Sequence, residues 1–212
     1  MLHAVRGRIE QFILLVTFFM ICTGMFPIMA EAVQPGPTEG IQALNACLLD
    51  AMKRADELGY AGRYKLLEPV LKDTFDFSFM GAKSIGRFWE TLNDEQQALF
   101  MKTYTDWSIA TYAGRFDGYS GERFELVSES APVQGIVTVI SKLIQLKEEP
   151  ITFYYLMRMV EDRWRVVDIQ ISGVSQLALT RAQFTEVMKS KGLDGLITML
   201  KNKTAGFAQP KK

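Results

Sequence analysis

The feature that most constrains the fold of this chain is the segment YYLMRMVEDRWRVVDIQISGVS, at residues 154–175. Two runs rich in β-branched, aromatic and other apolar residues flank the polar pair Glu161-Asp162. This arrangement predicts a β-hairpin with a two-residue turn. The second run ends at Ser172 and Gly173 and leads directly into a segment of helical periodicity. The chain is therefore predicted to join a curved antiparallel sheet to a C-terminal helix.

Side chains alternate between the two faces of a strand, so the position of the turn assigns each residue of the hairpin to a face. One face is expected to carry Tyr154, Leu156 and Val160 together with Val167, Ile169 and Ile171. The other is expected to carry Phe153, Tyr155, Met157 and Met159 together with Trp164, Val166, Asp168 and Gln170. Both faces are partly apolar, so alternation alone does not decide which one meets the helices. We expect the face of Val167, Ile169 and Ile171 to be the inner one.

Helices are predicted on both sides of the sheet in the sequence. Apolar residues recur at helical spacing up to Gly59, which is expected to end the first helix. Pro69 is expected in the first turn of a short helix. Asn93 and Gln96 form a capping box before the longest predicted helix, and Gly192 is expected to separate two helices near the end of the chain.

The remaining strands complete the fold class. From residue 121 the hydrophobic period changes to two, which predicts two strands before the hairpin. Together they form a four-stranded curved antiparallel sheet that is preceded and followed by several helices. This order of elements predicts an α+β fold.

Residues 1–32 have the parts of a cleavable secretory signal peptide. Arg6 and Arg8 supply a basic start, residues 12–21 are apolar, and the tripeptide AEA at residues 30–32 allows cleavage after either alanine. An uncleaved membrane anchor is the alternative, because residues 12–30 carry no charge and approach the length of about 18 residues that a spanning helix needs.

The rest of the chain is predicted to be a single domain. Residues 33–203 are long enough to bury roughly 70% of the surface of the unfolded chain, and residues 204–212 are predicted to form a flexible C-terminal tail. The only histidine, His3, lies in the predicted signal, which excludes Ser-His-Asp and Cys-His nucleophile pairs and the usual zinc and di-iron sites from the domain. We expect no metal and no cofactor. The chain has 24 basic and 24 acidic residues, which disfavours nucleic-acid binding.

Several segments, taken in order, resemble a known protein family. They are FDFSFMG at 75–81, RFWETLNDEQQALF at 87–100, TYAGRFDGYSGERFE at 111–125, RWRVVDIQISGVS at 163–175 and RAQF at 181–184. Their order and spacing resemble the MlaC or toluene-tolerance family of periplasmic lipid-binding proteins associated with ABC transporters. The third segment is similar to the hopanoid-associated HpnM branch. The chain departs from the family in the hairpin turn, where Glu161-Asp162 stands in place of Asp-Gly.

The resemblance implies a cone-shaped fold in which helices cover the curved sheet and an internal apolar pocket lies between them. It implies a carrier that holds the tails of a phospholipid or hopanoid in the pocket, with the head group near the mouth. It further implies a periplasmic monomer that exchanges lipid with inner- and outer-membrane transporter proteins and serves outer-membrane maintenance. No catalytic residue and no nucleic-acid partner are expected.

The surplus of aromatic residues, together with the resemblance, predicts the wall of this pocket. The chain contains 14 Phe, more than a compact domain of this size commonly needs. The predicted lipid-binding residues are Phe75, Phe79, Trp89, Phe100, Tyr104, Trp107, Tyr112, Phe116, Tyr154, Leu156, Val167, Ile169, Ile171 and Val174.

Two other interpretations remain open at the level of sequence. An enzyme of similar α+β cone shape would use Asp168, placed opposite Tyr155 by simple alternation, for proton transfer on a lipid-derived substrate. A scaffolding protein would have a filled interior with no connected cavity.

Overall fold

The computed structural model of the protein describes residues 35–209. The predicted signal peptide and the last three residues lie outside the described residues. The elements are α1 (Pro37–Lys53), α2 (Ala55–Thr74), α3 (Phe77–Ile85), a 3-10 helix (Gly86–Thr91), α4 (Asp94–Arg115), β1 (Arg123–Glu129), β2 (Ile136–Ile144), β3 (Ile151–Val160), β4 (Arg163–Ile171), β5 (Val174–Ser175) and α5 (Gln176–Phe207). The predicted α+β fold class is confirmed.

The sheet is an antiparallel meander, and its strands lie in chain order from β1 to β5. It has five strands in the described residues, whereas the sequence predicts four. The additional strand has two residues, and it pairs Val174 with Ile171 and Ser175 with Gln170. A strand this short leaves no periodic signal in the sequence, which explains the difference.

The hairpin turn lies where the sequence predicts it. Val160 pairs with Arg163, and the two residues between them, Glu161 and Asp162, have φ angles of 48° and 61°. Positive φ at both central residues is the geometry of a type I′ turn, which matches the twist of the flanking strands. The departure from Asp-Gly therefore leaves the turn type unchanged and places two residues with a Cβ in the left-handed region.

A β-bulge in β4 changes which residues share a face. Asp168 pairs with Leu156, but the next pair along the hairpin is Val166 with Met157. Val167 is therefore the extra residue of the bulge, and it is buried. The extra residue shifts β4 by one position relative to β3. Beyond the bulge, each β4 residue therefore shares a face with the β3 residues that simple alternation assigns to the opposite face.

The inner face of the hairpin consequently combines residues that alternation assigns to opposite faces. Tyr155 pairs with Ile169 and Phe153 pairs with Ile171, and all four line the same internal cavity. The prediction for the inner face is right for β4 at these positions and wrong for β3. The β3 residues that belong to the opposite face are Tyr154 and Leu156.

The helices differ from prediction where the backbone bends. The first helix ends at Lys53, and Gly59, with φ of 57°, forms a kink inside α2 instead of ending α1. Pro69 lies inside α2 rather than in the first turn of a short helix. The capping box of α4 is confirmed, since Gln96 N donates to Asn93 Oδ1 at 2.9 Å and Asn93 N donates to Gln96 Oε1 at 3.1 Å.

The last helix extends beyond its predicted end. Gly192, with φ of 63°, is a kink within α5, and the helix then continues to Phe207. Residues 204–207, predicted as part of a flexible tail, are thus helical. The ring of Phe207 lies directly against Gly114, where any side chain larger than hydrogen would collide with it.

The hydrophobic core is shared between the helices and the sheet. It includes Ile41, Leu44 and Leu48 from α1, Leu67 and Leu71 from α2, and Val137 and Val139 from β2. Within residues 35–209, none of the helices combines the length and the hydropathy of a membrane-spanning segment.

Candidate ligand-binding cavity

A cavity of about 790 Å³ lies among the inner face of the sheet, α3, α4 and α5. This volume is in the upper part of the range of about 300–1,000 Å³ that is typical of small-molecule sites. Its apolar wall is formed by Met52, Phe75, Phe77, Met80, Tyr104, Trp107, Tyr112, Phe116, Leu143, Ile151, Phe153, Tyr155, Ile169, Ile171 and Leu177. A connected interior space contradicts the solid interior expected of the scaffolding interpretation.

Contacts between aromatic rings hold the helical side of the wall. Phe75 stacks on Phe77 with ring centroids 5.6 Å apart, and it meets Tyr112 edge-on at 5.7 Å. Tyr112 in turn stacks on Phe116 at 5.9 Å, and Phe77 meets Tyr104 edge-on at 6.4 Å. Each ring is thus fixed by a neighbour in a favourable geometry. These contacts hold the rings of the wall in defined positions relative to one another.

The structure brings only part of the predicted set to the cavity. The residues that line it are Phe75, Tyr104, Trp107, Tyr112, Phe116, Ile169 and Ile171. The aromatic residues among them lie on α4, directly after it at Phe116, or between α2 and α3 at Phe75. The aromatic stripe of α4 is therefore a good guide to this side of the cavity.

The other predicted residues lie elsewhere. Phe100 is buried in the core, where its ring centroid is 6.4 Å from that of Trp89. The ring of Phe79 lies under the guanidinium of Arg158, at 4.3 Å. Val174 is 45% exposed in β5. The remaining three are Tyr154 and Leu156, on the other face of β3, and Val167, in the bulge.

Sequence reasoning missed several apolar residues of the wall. Simple alternation places Phe153 and Tyr155 on the other face, because the residue pattern gives no recognisable sign of the bulge. Phe77 and Met80 lie three residues apart on α3, and this helical spacing is a signal that could have placed them on one face.

One end of the cavity is polar and reaches the surface. The exposed residues Tyr119, Ser120, Leu179 and Gln183 are part of its lining. We call this end the mouth, and its other polar residues are Arg115, Asp117, Glu122, Gln145, Gln176, Thr180 and Lys203. The side-chain oxygen of Gln145 is buried and has no hydrogen-bond partner within the described part of the chain. An apolar interior with a polar mouth suits an amphipathic ligand.

Three tyrosines, Tyr104, Tyr112 and Tyr155, line the cavity. Burial raises the pKa of Tyr155. Burial also raises the pKa of Tyr112, with Tyr155 and Tyr104 acting in the same direction and Arg115 in the opposite one. Burial also raises the pKa of Tyr104, with Ser108 acting in the opposite direction and Asp168 in the same one. All three phenols are therefore neutral at physiological pH and can donate hydrogen bonds.

Asp168 anchors a helix. Its Oδ1 accepts a hydrogen bond from the backbone N–H of Leu177, in the first turn of α5, at 3.0 Å. The strand register places Asp168 opposite Leu156, so the pairing with Tyr155 that simple alternation predicts is wrong. In the described residues no hydrogen bond joins Asp168 to Tyr155. The side-chain pair required by the enzyme interpretation is not assembled.

An ion pair fixes α3 to the sheet beside the cavity. Arg158 Nη2 donates to Asp76 Oδ2 at 2.7 Å, and the other oxygen of this buried carboxylate accepts from Phe79 N at 2.9 Å. Asp76 therefore caps α3 and binds β3 at once. Among the described residues, no group of three or more His, Cys, Asp and Glu side chains is arranged to hold a metal ion.

A comparison with models of known protein families assigns the chain to a family. The family model described as MlaC protein matches residues 42–202, well over half of the 212 residues. This chain belongs to the MlaC family. The predicted family is thereby confirmed, while the hopanoid-associated branch stays a prediction.

One characterised protein is similar to this chain in sequence, and one solved structure is similar to it in fold. The chain is 26% identical over 129 residues to the intermembrane phospholipid transport system binding protein MlaC of Haemophilus influenzae, an alignment that covers 59% of this chain and 60% of that protein. The fold is similar to that of a phospholipid-binding protein from Ralstonia solanacearum, solved in complex with a phospholipid. That similarity has a TM-score of 0.71 at 22% identity and covers 82% of this chain and all of the other.

Proposed function

We propose that this protein binds the acyl tails of a phospholipid in its cavity and carries the lipid between membrane complexes of an ABC-transport system. The observation that carries the proposal is the cavity of about 790 Å³, with an apolar wall and a polar mouth, in a chain of the MlaC family. The names of the Haemophilus and Ralstonia proteins, which refer to phospholipid transport and phospholipid binding, support the choice of ligand.

The energetics of lipid transfer require such a cavity. A lipid with two tails exposes about 30 methylenes, so bringing it into water without a carrier costs about 24 kcal/mol at about 0.8 kcal/mol per methylene. Aromatic and aliphatic side chains around the cavity offset this cost. The polar mouth leaves the head group in contact with water, where its desolvation is avoided.

The proposal includes location, partners and the absence of catalysis. The predicted signal peptide supports a periplasmic protein, and the family supports exchange with inner- and outer-membrane transporter proteins by a monomer. A non-enzymatic role is supported by the structural use of Asp168, whose carboxylate holds the start of α5.

The first experiment asks whether the purified protein carries a bound lipid. The protein is purified from its native periplasm and examined by native mass spectrometry and by extraction of lipids. We expect a co-purifying phospholipid. A hopanoid in its place would support the HpnM branch, and protein free of any lipid under several purification conditions would refute the proposal.

A matched pair of variants locates the lipid. Thr111→Trp on α4 adds an indole to the cavity lining, whereas Ala98→Trp adds the same group on an exposed part of the same helix. Filling the cavity is expected to lower the amount of bound lipid at least tenfold, because the tails lose the space that they need. Ala98→Trp should retain the wild-type amount. Equal lipid content in both variants would place the lipid elsewhere.

A further inference from the structure

The apolar part of the cavity contains two hydrogen-bond donors that the protein itself does not satisfy. Tyr155 is 2% exposed and lines the cavity, and Tyr112 lines it from the opposite side, on α4. Neither hydroxyl forms a hydrogen bond to any residue that the structure describes. Tyr104, by contrast, has Ser108 beside its side chain.

Both hydroxyls border the open cavity, so water can reach them when no ligand is bound. Lipid tails that fill the cavity would exclude this water and leave the donors without a partner, which is unfavourable. Phenylalanine would fill the same space at both positions without this penalty. Two unsatisfied phenols that line one cavity are therefore explained most simply by a ligand that brings acceptor atoms into an otherwise apolar space.

The surroundings of the two hydroxyls restrict the acceptor to a neutral group. Burial raises the pKa of both phenols, which means that negative charge is disfavoured at this depth. A phosphate or a carboxylate would be desolvated here, whereas a carbonyl oxygen accepts hydrogen bonds without a net charge. Charged groups belong at the mouth, where Arg115 lies one helical turn beyond Tyr112.

A phospholipid with acyl chains has neutral acceptors in the required place. Its ester carbonyls join the polar head to the apolar tails, so they lie just inside the mouth when the tails fill the cavity. We propose that Tyr112 and Tyr155 donate hydrogen bonds to the acyl-ester carbonyls of the bound lipid, so that the protein prefers ester-linked phospholipids to ether-linked lipids and to polycyclic hydrocarbons. This inference rests on the proposed function and names the lipid class.

The test compares two lipids that differ only at the carbonyls. Lipid-free protein is titrated with a diacyl phosphatidylglycerol and with its dialkyl ether analogue, which has the same head group and equal chain lengths. We expect the wild type to bind the diester about two- to tenfold more tightly for each neutral hydrogen bond that its carbonyls accept.

Conservative variants assign this preference to the two hydroxyls. Tyr112→Phe and Tyr155→Phe should each reduce the ratio of diester to diether affinity, and the double variant should bring this ratio to one. Tyr154→Phe is the matched control, because Tyr154 is adjacent in β3 but lies outside the cavity, and it should keep the wild-type preference. Thermal unfolding of each variant verifies that it is folded.

The possible failures are distinguishable. If the wild type binds diester and diether equally, or if the double variant keeps the preference, the inference is wrong although lipid binding stands. If neither lipid binds to the lipid-free wild type, the proposed function fails, and the inference fails with it.

Discussion

At the scale of the residue, Asp168 shows how a carboxylate beside a cavity can be structural. It accepts a hydrogen bond from Leu177 N and thereby joins β4 to the first turn of α5, next to the capping bond from Ala178 N to Ser175 Oγ. An acidic acceptor at a helix N-terminus is also favoured by the helix dipole. The residue is needed for the position of α5, and α5 forms one side of the cavity.

Removing this acceptor gives a prediction for stability. Asp168→Ala should lower the free energy of unfolding by about 1 kcal/mol, which corresponds to a decrease in Tm of about 2–4 °C for a domain of this size. Asp168→Asn keeps an oxygen that can accept the same bond, so its decrease should be smaller. Both are measured by thermal denaturation of lipid-free protein.

The second of these variants decides between carrier and enzyme. Asp168→Asn is expected to bind phospholipid with nearly wild-type affinity, because its side-chain oxygen can still accept the bond from Leu177 N. If Asp168→Asn instead abolished turnover of a lipid-derived substrate and left lipid uptake intact, the enzyme interpretation would replace the carrier.

At the scale of the element, the β3–β4 hairpin combines a favourable turn type with unfavourable residues. Glu161 and Asp162 both have positive φ, in the left-handed region where a residue with a Cβ is strained relative to glycine, Asp less so than Glu. The hairpin forms nonetheless, because long flanking strands with many paired residues hold the turn in place. Some stability is therefore lost at the turn without a structural need.

Restoring glycine in the turn should stabilise the protein. Asp162→Gly relieves the left-handed backbone at φ 61° and is expected to raise the free energy of unfolding by about 0.5–1 kcal/mol, after the larger entropy of glycine in the unfolded chain is subtracted. The measurement is the midpoint of urea unfolding at an unchanged m-value. Asp162→Ala also removes the carboxylate but keeps a Cβ, so it should give no gain. A gain of equal size in both variants would show that charge, not backbone strain, is responsible.

At the scale of the whole molecule, the cavity makes the protein sensitive to high pH. The pKa values of Tyr104, Tyr112 and Tyr155 are raised above the ordinary value of 10, primarily by burial. In the unfolded chain these phenols ionise near pH 10, whereas in the folded protein they stay neutral to higher pH. Their contribution to stability is complete below pH 10 and is lost as the pH rises from there through the folded-state values.

Unfolding of lipid-free protein across this range tests the effect. The free energy of unfolding is expected to fall between about pH 9 and pH 11. The Tyr112→Phe, Tyr155→Phe double variant should lose less, because phenylalanine does not ionise, and Tyr154→Phe serves as the control outside the cavity. Identical pH profiles for the double variant and the wild type would contradict the assignment of this sensitivity to the cavity.

Local interactions made much of the fold predictable from the sequence. The hairpin turn at Glu161-Asp162 and the capping box at Asn93 and Gln96 are where the residues predict them, since both depend on neighbours within a few positions. The α+β class and the family also follow from the order of the segments. The aromatic stripe of α4 predicted one side of the cavity, because helical periodicity places its rings on one face.

The other side of the cavity depends on contacts between segments that are distant in the sequence. The bulge at Val167 exchanges Tyr154 and Leu156 for Phe153 and Tyr155 on the inner face, and a bulge is stabilised by the register and packing of the whole hairpin. Phe100 resembles the cavity residues in type and helical position, yet neighbouring rings fill the space around it and make it core. Amino-acid type determines which residues leave water; the contacts among elements distant in sequence determine whether a residue faces another side chain or an open space.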